Sequence, residues 1–473
     1  MIYIDRPTSY TDYYELTMAQ GYFLEHNSSN RASFDYFFRK NPFKGGYVIY
    51  AGLSELIETL RNLSFESDEL DYLKSEGFRD EFLDYLSDFR FNGTIYSARE
   101  GEVVFPNVPV LRIEGNLIEA QIIETLLLNI LNFQSLIATK ASRMRLAAGE
   151  KSTLLDFGLR RSQGLGGIHA TRAAIIGGFD GTSNVYSAQR FNIPAGGTMA
   201  HSWIQSYGDE LEAFRAYARH YPDETILLVD TYNTLKSGLP NAITVAKELR
   251  QKGHQLQGIR LDSGDLAYLS KKSRSMLDKA GFPDVKIAAS NQLDENVIES
   301  LMNQNAPIDI FGVGTRLVTG HGSPSLDGVY KLSSANEAPK IKVSENIEKI
   351  TLPGKKNVSR FLNDDGTYYC DAISLSDEKE VRKIHHPTFP AKETKLESRE
   401  SYPLIEKVLE NGTVIHSQKS INEFSGYRKE SLSKLSGEHK RFDNPHIYKV
   451  GITPKLLNLR DQLLDHHKKS NKQ

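Results

Sequence analysis

Short apolar runs that end in glycine or polar residues recur through the middle of the chain: STLLDFG (152–158), TILLVD (225–230), LQGIRLD (256–262), VKIAAS (285–290) and PIDIFGVG (307–314). Between them, segments such as PNAITVAKELRQKG and DENVIESLMNQ carry apolar residues at helical spacing. Strands alternating with helices predict βαβ units and a parallel sheet, and five such runs in succession fit a barrel better than an open sheet. Barrel chemistry sits at the C-terminal ends of the strands, where DFGLRR, VDTYN, RLDSGD, ASNQLDE and GVGT all fall. Ahead of this region, residues 1–116 mix a helical stretch, TDYYELTMAQGYFLE, with strand-like ASFDYFFRK, GYVIYAGL, NGTIYSA and VPVLRIEG, an α+β pattern. A strongly apolar stretch without proline, 117–148, reads as a long helix ending near Gly149. After residue 335 come β-like pieces with turn signals (LPGKK, NDDGTYY) and a terminal helix, LLNLRDQLLDHHKKSNKQ. The expected architecture is α/β: an N-terminal α+β segment (1–116), a barrel (117–335) and a C-terminal segment (336–473) packing beside the first.

Composition narrows the class. Lysine and arginine total 58 against 60 acids, a net charge of −2, which argues against a chain whose bulk field attracts nucleic acid or an anionic membrane. One cysteine, Cys370, excludes an internal disulfide framework and any multi-cysteine zinc or iron–sulfur site. The start, MIYIDRPTSYTDYYELTMAQ, has no basic region followed by an apolar one, and IETLLLNILNF is broken by Glu124 and Asn129, so neither a signal peptide nor a membrane span is expected. A cytoplasmic setting is the default.

Candidate chemistry begins with glycine-rich segments: SQGLGGIHA, IGGFDGTSN, PAGGTMAHS and GVGTRLVTGHG. Glycine lets main-chain N–H groups approach a phosphate, and serine or threonine adds a hydroxyl donor. One such loop is ordinarily a tight turn; four near barrel strand ends favour a phosphorylated ligand. Arg160 and Arg161 follow DFGL, and Arg260 lies inside GIRLD. Each can fork onto a carboxylate or phosphate, or serve a structural salt bridge. His201, after GGTMA, can be a base, a nucleophile or an ordinary hydrogen-bonded residue. Asp230, closing TILLVD, is a candidate to orient a nearby histidine. Asp262 and Asp265 in RLDSGD can offer oxygens to Mg2+ or cap the next helix, and capping is the stronger reading for Asp265. His169, His254 and the pair His385-His386 lack metal-ligand spacing.

The segments TDYYELTMAQGYF, FDYFFRKNPFKGGY, DFGLRRSQG, GGFDGTSNV, GGTMAHSW, RLDSGDL and GVGTRLVT occur in this order. Together, over residues 10 to 330, they resemble nicotinate phosphoribosyltransferase, of the type II phosphoribosyltransferase group. The resemblance implies an irregular α/β barrel with a flanking α+β domain, assembled as a homodimer with active sites shared at the interface. It implies ATP-coupled joining of nicotinate to 5-phosphoribosyl 1-diphosphate, giving nicotinate mononucleotide and diphosphate, the first step of NAD salvage from nicotinate. On this resemblance His201 is the phosphorylatable histidine and Asp230 the carboxylate that hydrogen-bonds it. Tyr14, donated across the dimer, and Phe157 sandwich the pyridine ring. Thr198 and Arg260 contact nicotinate, while Arg160, Gly178, Gly314 and Thr315 fall on phosphate or diphosphate positions. Asp262 is the expected Mg2+ ligand. Ser183 stands where nicotinamide-using relatives place an aspartate, so nicotinate is the expected substrate and a nicotinamide-using enzyme of the same fold the alternative.

Physical logic agrees with that assignment. A strongly anionic ribose donor bound by a nearly neutral protein needs local arginines and loop amides. The transition state resembles an oxocarbenium ion, so positioning and stabilisation of the leaving diphosphate dominate, and no strong base is needed. An aldolase or isomerase barrel would want a Schiff-base lysine or a carboxylate base at a strand end, and none of the five strand ends carries a lysine.

Overall fold

A computed structural model describes residues 6–27, 29–345, 349–415 and 419–470. The chain forms two compact units, Met1–Leu136 with Ser325–Gln473, and Ile137–Pro324. The division falls inside the helix Glu124–Ala148 and ahead of the strand Gly328–Ala335, against 116/117 and 335/336 expected from the pattern. The later strand belongs to the first unit because it pairs antiparallel with Arg31–Phe38, Tyr36 opposite Tyr330.

The first unit is built on a seven-stranded sheet in which Arg31–Phe38, Leu111–Asn116 and Thr94–Ser97 lie between Gly328–Ala335 on one side and Glu406–Glu410 on the other. N-terminal and C-terminal segments therefore share one hydrogen-bonded layer. Phe34 and Tyr330 stack at 4.7 Å across the Arg31–Phe38 and Gly328–Ala335 pair. The Arg360 guanidinium, fully buried, donates to Asp371 through Nε (2.7 Å) and Nη2 (2.8 Å) and to Glu102 through Nη1 (2.8 Å). Removing one partner of such a buried group strands the other charge, at a cost of about 3–5 kcal/mol. The apolar stretch 117–148 is two consecutive helices, Leu117–Ile122 and Glu124–Ala148, interrupted at Ile123 (φ −90°, ψ 0°); Asn116 caps the first by accepting from the Ile118 N–H at 2.8 Å.

The second unit carries six parallel strands in the order Gly181–Thr182, Thr153–Asp156, Ile310–Val313, Lys286–Ser290, Gly258–Leu261, Ile226–Leu228. Five correspond to the apolar runs; the sixth, Gly181–Thr182, lies within GGFDGTSNV. The helices Leu239–Gln251, Leu266–Lys279 and Glu295–Asn303 follow successive strands as βαβ crossovers. Among the described residues no ladder joins the two edge strands, so hydrogen bonding leaves the ring open. Curvature is nonetheless present, since Leu155, Ile226, Arg260, Ala288 and Ile310, one from each of five strands, line a single cavity.

Candidate active site

Sheet register decides which side chains meet. Thr153, Ile310, Ala288, Arg260 and Leu228 lie abreast, and two residues further on Leu155, Gly312 and Ser290 form the next row. Alternate residues of a strand share a face, so these two rows both line the inner side. Arg260 is held there by three neighbours: Nε donates to Ser290 Oγ (2.8 Å), Nη1 to Thr198 Oγ1 (2.9 Å) and Nη2 to Asp262 Oδ1 (2.9 Å). The Ser290 hydroxyl in turn donates to Asp262 Oδ1. A guanidinium has five N–H donors in a planar fork, so three bonds to protein leave two for a ligand. Arg260 thus carries both the structural ion pair and free donors, in a side chain only 12% exposed.

Asp156, at the end of its strand, ties its own DFGL turn to the helix Gly166–Ile176 and to the strand Gly181–Thr182. Its Oδ1 accepts from the Gly158 N–H (2.8 Å), and its Oδ2 from the hydroxyls of Thr171 (2.7 Å) and Thr182 (2.9 Å). Burial pushes its carboxyl above the usual carboxylate range, against the pull of those donors. Ser183 is exposed beside it, with its N–H (2.8 Å) and hydroxyl (3.2 Å) both donating to the Asp156 carbonyl. Gly178 lies deeper: it is buried at φ +108°, and its carbonyl accepts from Arg145 Nε at 2.8 Å in the turn after the helix Gly166–Ile176.

His201 opens the short helix His201–Gln205 and is 39% exposed. The partner expected of it, Asp230, is engaged elsewhere: Asp230 Oδ2 accepts from the Asp262 N–H (2.8 Å) and the Ser263 hydroxyl (2.7 Å). Instead His201 Nδ1 pairs with Thr231 Oγ1 at 3.0 Å, and Nε2 lies 3.8 Å from Asp262 Oδ2. Asp230 therefore orients the RLDSGD turn, and Thr231 and Asp262 flank the imidazole. Asp265 is a helix cap, accepting from the Tyr268 N–H at 3.0 Å.

Three of the expected ligand-contacting residues, Phe157, Thr198 and Arg260, converge on one cavity of about 290 Å³, with Gly197, Gly312 and Tyr217. The Arg260 guanidinium lies 5.6 Å from the Phe157 ring centroid. The ring has room because residue 312 is glycine: a Cβ there would overlap the ring edge. Gly312→Ala is therefore expected to cost about 1–3 kcal/mol of stability through overpacking, seen as an earlier urea midpoint; an unchanged midpoint would show the ring is not seated on this glycine.

The remaining expected residues lie outside that cavity's lining. Arg160 sits in the turn Leu159–Arg161, exposed like Arg161, and among the described residues neither forms an ion pair. Gly314 and exposed Thr315 begin the short helix Thr315–Val318 after the strand Ile310–Val313. Tyr14 belongs to the first unit, on the helix Tyr13–Leu24, and is 45% exposed. Burial of its hydroxyl and the nearby Glu124 carboxylate raise its pKa. Below it, burial pushes the Glu15 carboxyl up to about 7, although Thr11 and Thr125 hydroxyls donate to it. No group of three or more metal-ligating side chains occurs among the described residues.

At the C-terminal strand ends of this parallel α/β sheet an arginine, a threonine hydroxyl and an aromatic ring gather around one cavity. Family models for nicotinate phosphoribosyltransferase match three stretches: the N-terminal domain over residues 10–132, the family model over 152–383 and the C-terminal domain over 355–460. The nicotinate phosphoribosyltransferase of Bacillus subtilis is 44% identical over 463 residues, covering 95% of this chain and 93% of that protein. That of Caenorhabditis elegans is 37% identical, covering 94% and 91%. The crystal structure of human nicotinic acid phosphoribosyltransferase superimposes with a TM-score of 0.86 at 30% identity, over 96% of this chain and 99% of that one. A nicotinate-nucleotide pyrophosphorylase from Pyrococcus furiosus superimposes with a TM-score of 0.71 at 25% identity, over 92% and 98%. The chain belongs to the nicotinate phosphoribosyltransferase family.

Proposed function

We propose that the protein transfers the 5-phosphoribosyl group of 5-phosphoribosyl 1-diphosphate to nicotinate, coupled to ATP hydrolysis. The observation that carries this is the convergence of Phe157, Thr198 and Arg260 on one cavity in a chain of this family. Nicotinate enters with its ring against Phe157 and its carboxylate toward the two uncommitted Arg260 N–H groups. The pyridine nitrogen lone pair forms the new bond to ribose C1 as the C1–O bond breaks. Diphosphate leaves with that electron pair, and the ring nitrogen becomes a pyridinium. No proton moves, so the site needs orientation and anion stabilisation rather than a base. Exposed Arg160 supplies charge for the phosphates, with Gly314, Thr315 and the turn at Gly178 shaping the loops around them.

The oxygens at the RLDSGD turn suit a hard cation such as Mg2+, which binds through one or two carboxylates, waters and substrate phosphates. Asp262 Oδ2 accepts no hydrogen bond among the described residues, and Asp230 Oδ1 is buried without a donor. A cation held by Asp262 and Asp230 would supply positive charge to the leaving diphosphate. His201 receives phosphate from ATP at a ring nitrogen, with ADP leaving, and the added charge and acceptors tighten the neighbouring loops. Tyr14 of a second chain covers the open face of the nicotinate ring, which makes the working unit a homodimer; exposed Tyr10, Tyr13 and Met18 near Tyr14 supply apolar surface for that contact. The reaction is placed in the cytoplasm.

Acid is favoured over amide because residue 183 is serine: Ser183 is exposed beside Asp156, and a carboxylate in its place would add a charge that repels the substrate's carboxylate. Ser183→Asp is expected to shift the kcat/KM ratio of nicotinate to nicotinamide toward the amide. A wild type that prefers nicotinamide contradicts the substrate assignment, and a ratio unmoved by the aspartate removes Ser183 as the selector.

A further inference from the structure

Among the described residues, the hydroxyl of Ser290 is the one side-chain group hydrogen-bonded to both members of the Arg260–Asp262 ion pair: it accepts from Arg260 Nε at 2.8 Å and donates to Asp262 Oδ1. Ser290 is 3% exposed and ends the strand Lys286–Ser290, which is paired on both sides, by Gly258–Leu261 and by Ile310–Val313. Ser290 itself pairs with Gly312 at the C-terminal end of that strand, and its short side chain has one rotatable bond, whereas Arg260 reaches the cavity on a long, rotatable stem. A hydroxyl can accept and donate at once; an alanine does neither, and a carboxylate or an ammonium does one only. With Nε fixed by Ser290, the plane of the guanidinium is set, and so is the direction of the N–H groups that Thr198 and Asp262 leave uncommitted.

We infer that Ser290 is a positioning residue that sets the guanidinium plane of Arg260, and with it the affinity of the site for the carboxylate of an aromatic acid. This deepens the proposed function and rests on Arg260 receiving nicotinate. Ser290 touches Asp262 through Oδ1 and not through the Oδ2 left for a cation, so the effect of removing its hydroxyl should fall mainly on nicotinate.

The test is steady-state kinetics of Ser290→Ala and Ser290→Thr in the full-length protein, with nicotinate and 5-phosphoribosyl 1-diphosphate varied in turn. Ser290→Cys, nearly isosteric and a poor hydrogen-bonder, is read in the same way should the alanine variant not fold. The alanine variant should raise KM for nicotinate about tenfold, with the melting temperature and KM for 5-phosphoribosyl 1-diphosphate close to wild type, and threonine should restore most of the loss. A nicotinate KM like that of wild type, a parallel rise in both KM values, or a threonine variant as defective as alanine would overturn the positioning role. If wild type itself makes no nicotinate mononucleotide, the proposed function fails rather than the role of Ser290.

Discussion

Replacing Arg260 with alanine is expected to lower kcat/KM for nicotinate by about two to three orders of magnitude, the scale for removing one partner of a desolvated, hydrogen-bonded charge pair. The loss has two sources. The substrate carboxylate loses its cation, and Asp262 loses one of the two donors on Oδ1, together with the charge that balances it. Arg260→Lys should recover little. An ammonium presents donors from a single point and cannot reach Ser290, Thr198 and Asp262 together while leaving a fork for the ligand. Steady-state rates of the two variants decide this: lysine activity within a few-fold of wild type would mean that charge alone, not the fork, is what the site uses.

His201→Ala should abolish stimulation by ATP while leaving slow, ATP-independent transfer. The imidazole is partly exposed, sits 3.0 Å from Thr231 Oγ1 through Nδ1 and faces Asp262 through Nε2, so it can accept a phosphoryl group without dismantling the Arg260 cradle. Its removal separates energy coupling from chemistry: the rates with and without ATP converge, while transfer driven by positioning alone persists. ATP-dependent gain that survives in the alanine variant would end the coupling role of this residue.

Much of the second unit was legible because parallel strands buried on both faces read as continuous apolar runs, and all five runs are strands. The sixth strand, Gly181–Thr182, is two residues long, too short for any periodicity to register. The break at Ile123 carries neither glycine nor proline, so nothing in the local sequence announces it. Phe157, Thr198 and Arg260 were identifiable from motif resemblance, and the structure brings them to one cavity. The partner of His201 was not: Asp230 and Thr231 are adjacent, and which of them reaches the ring depends on the turn after the strand Ile226–Leu228. Ser290 and Gly312 escaped for a related reason, since their roles come from lateral register with Arg260 and from the volume of the Phe157 ring, and neither is a property of a local segment. Thr231 had one available signal, a hydroxyl residue directly after the strand-end aspartate.

The central assignment is tested most directly by supplying the purified protein with radiolabelled nicotinate and 5-phosphoribosyl 1-diphosphate, with and without ATP, and measuring label in nicotinate mononucleotide. Labelled mononucleotide is expected to form only when the ribose donor is present, and faster when ATP is added. No labelled mononucleotide under any of these conditions, from protein shown to be folded, would contradict the assignment.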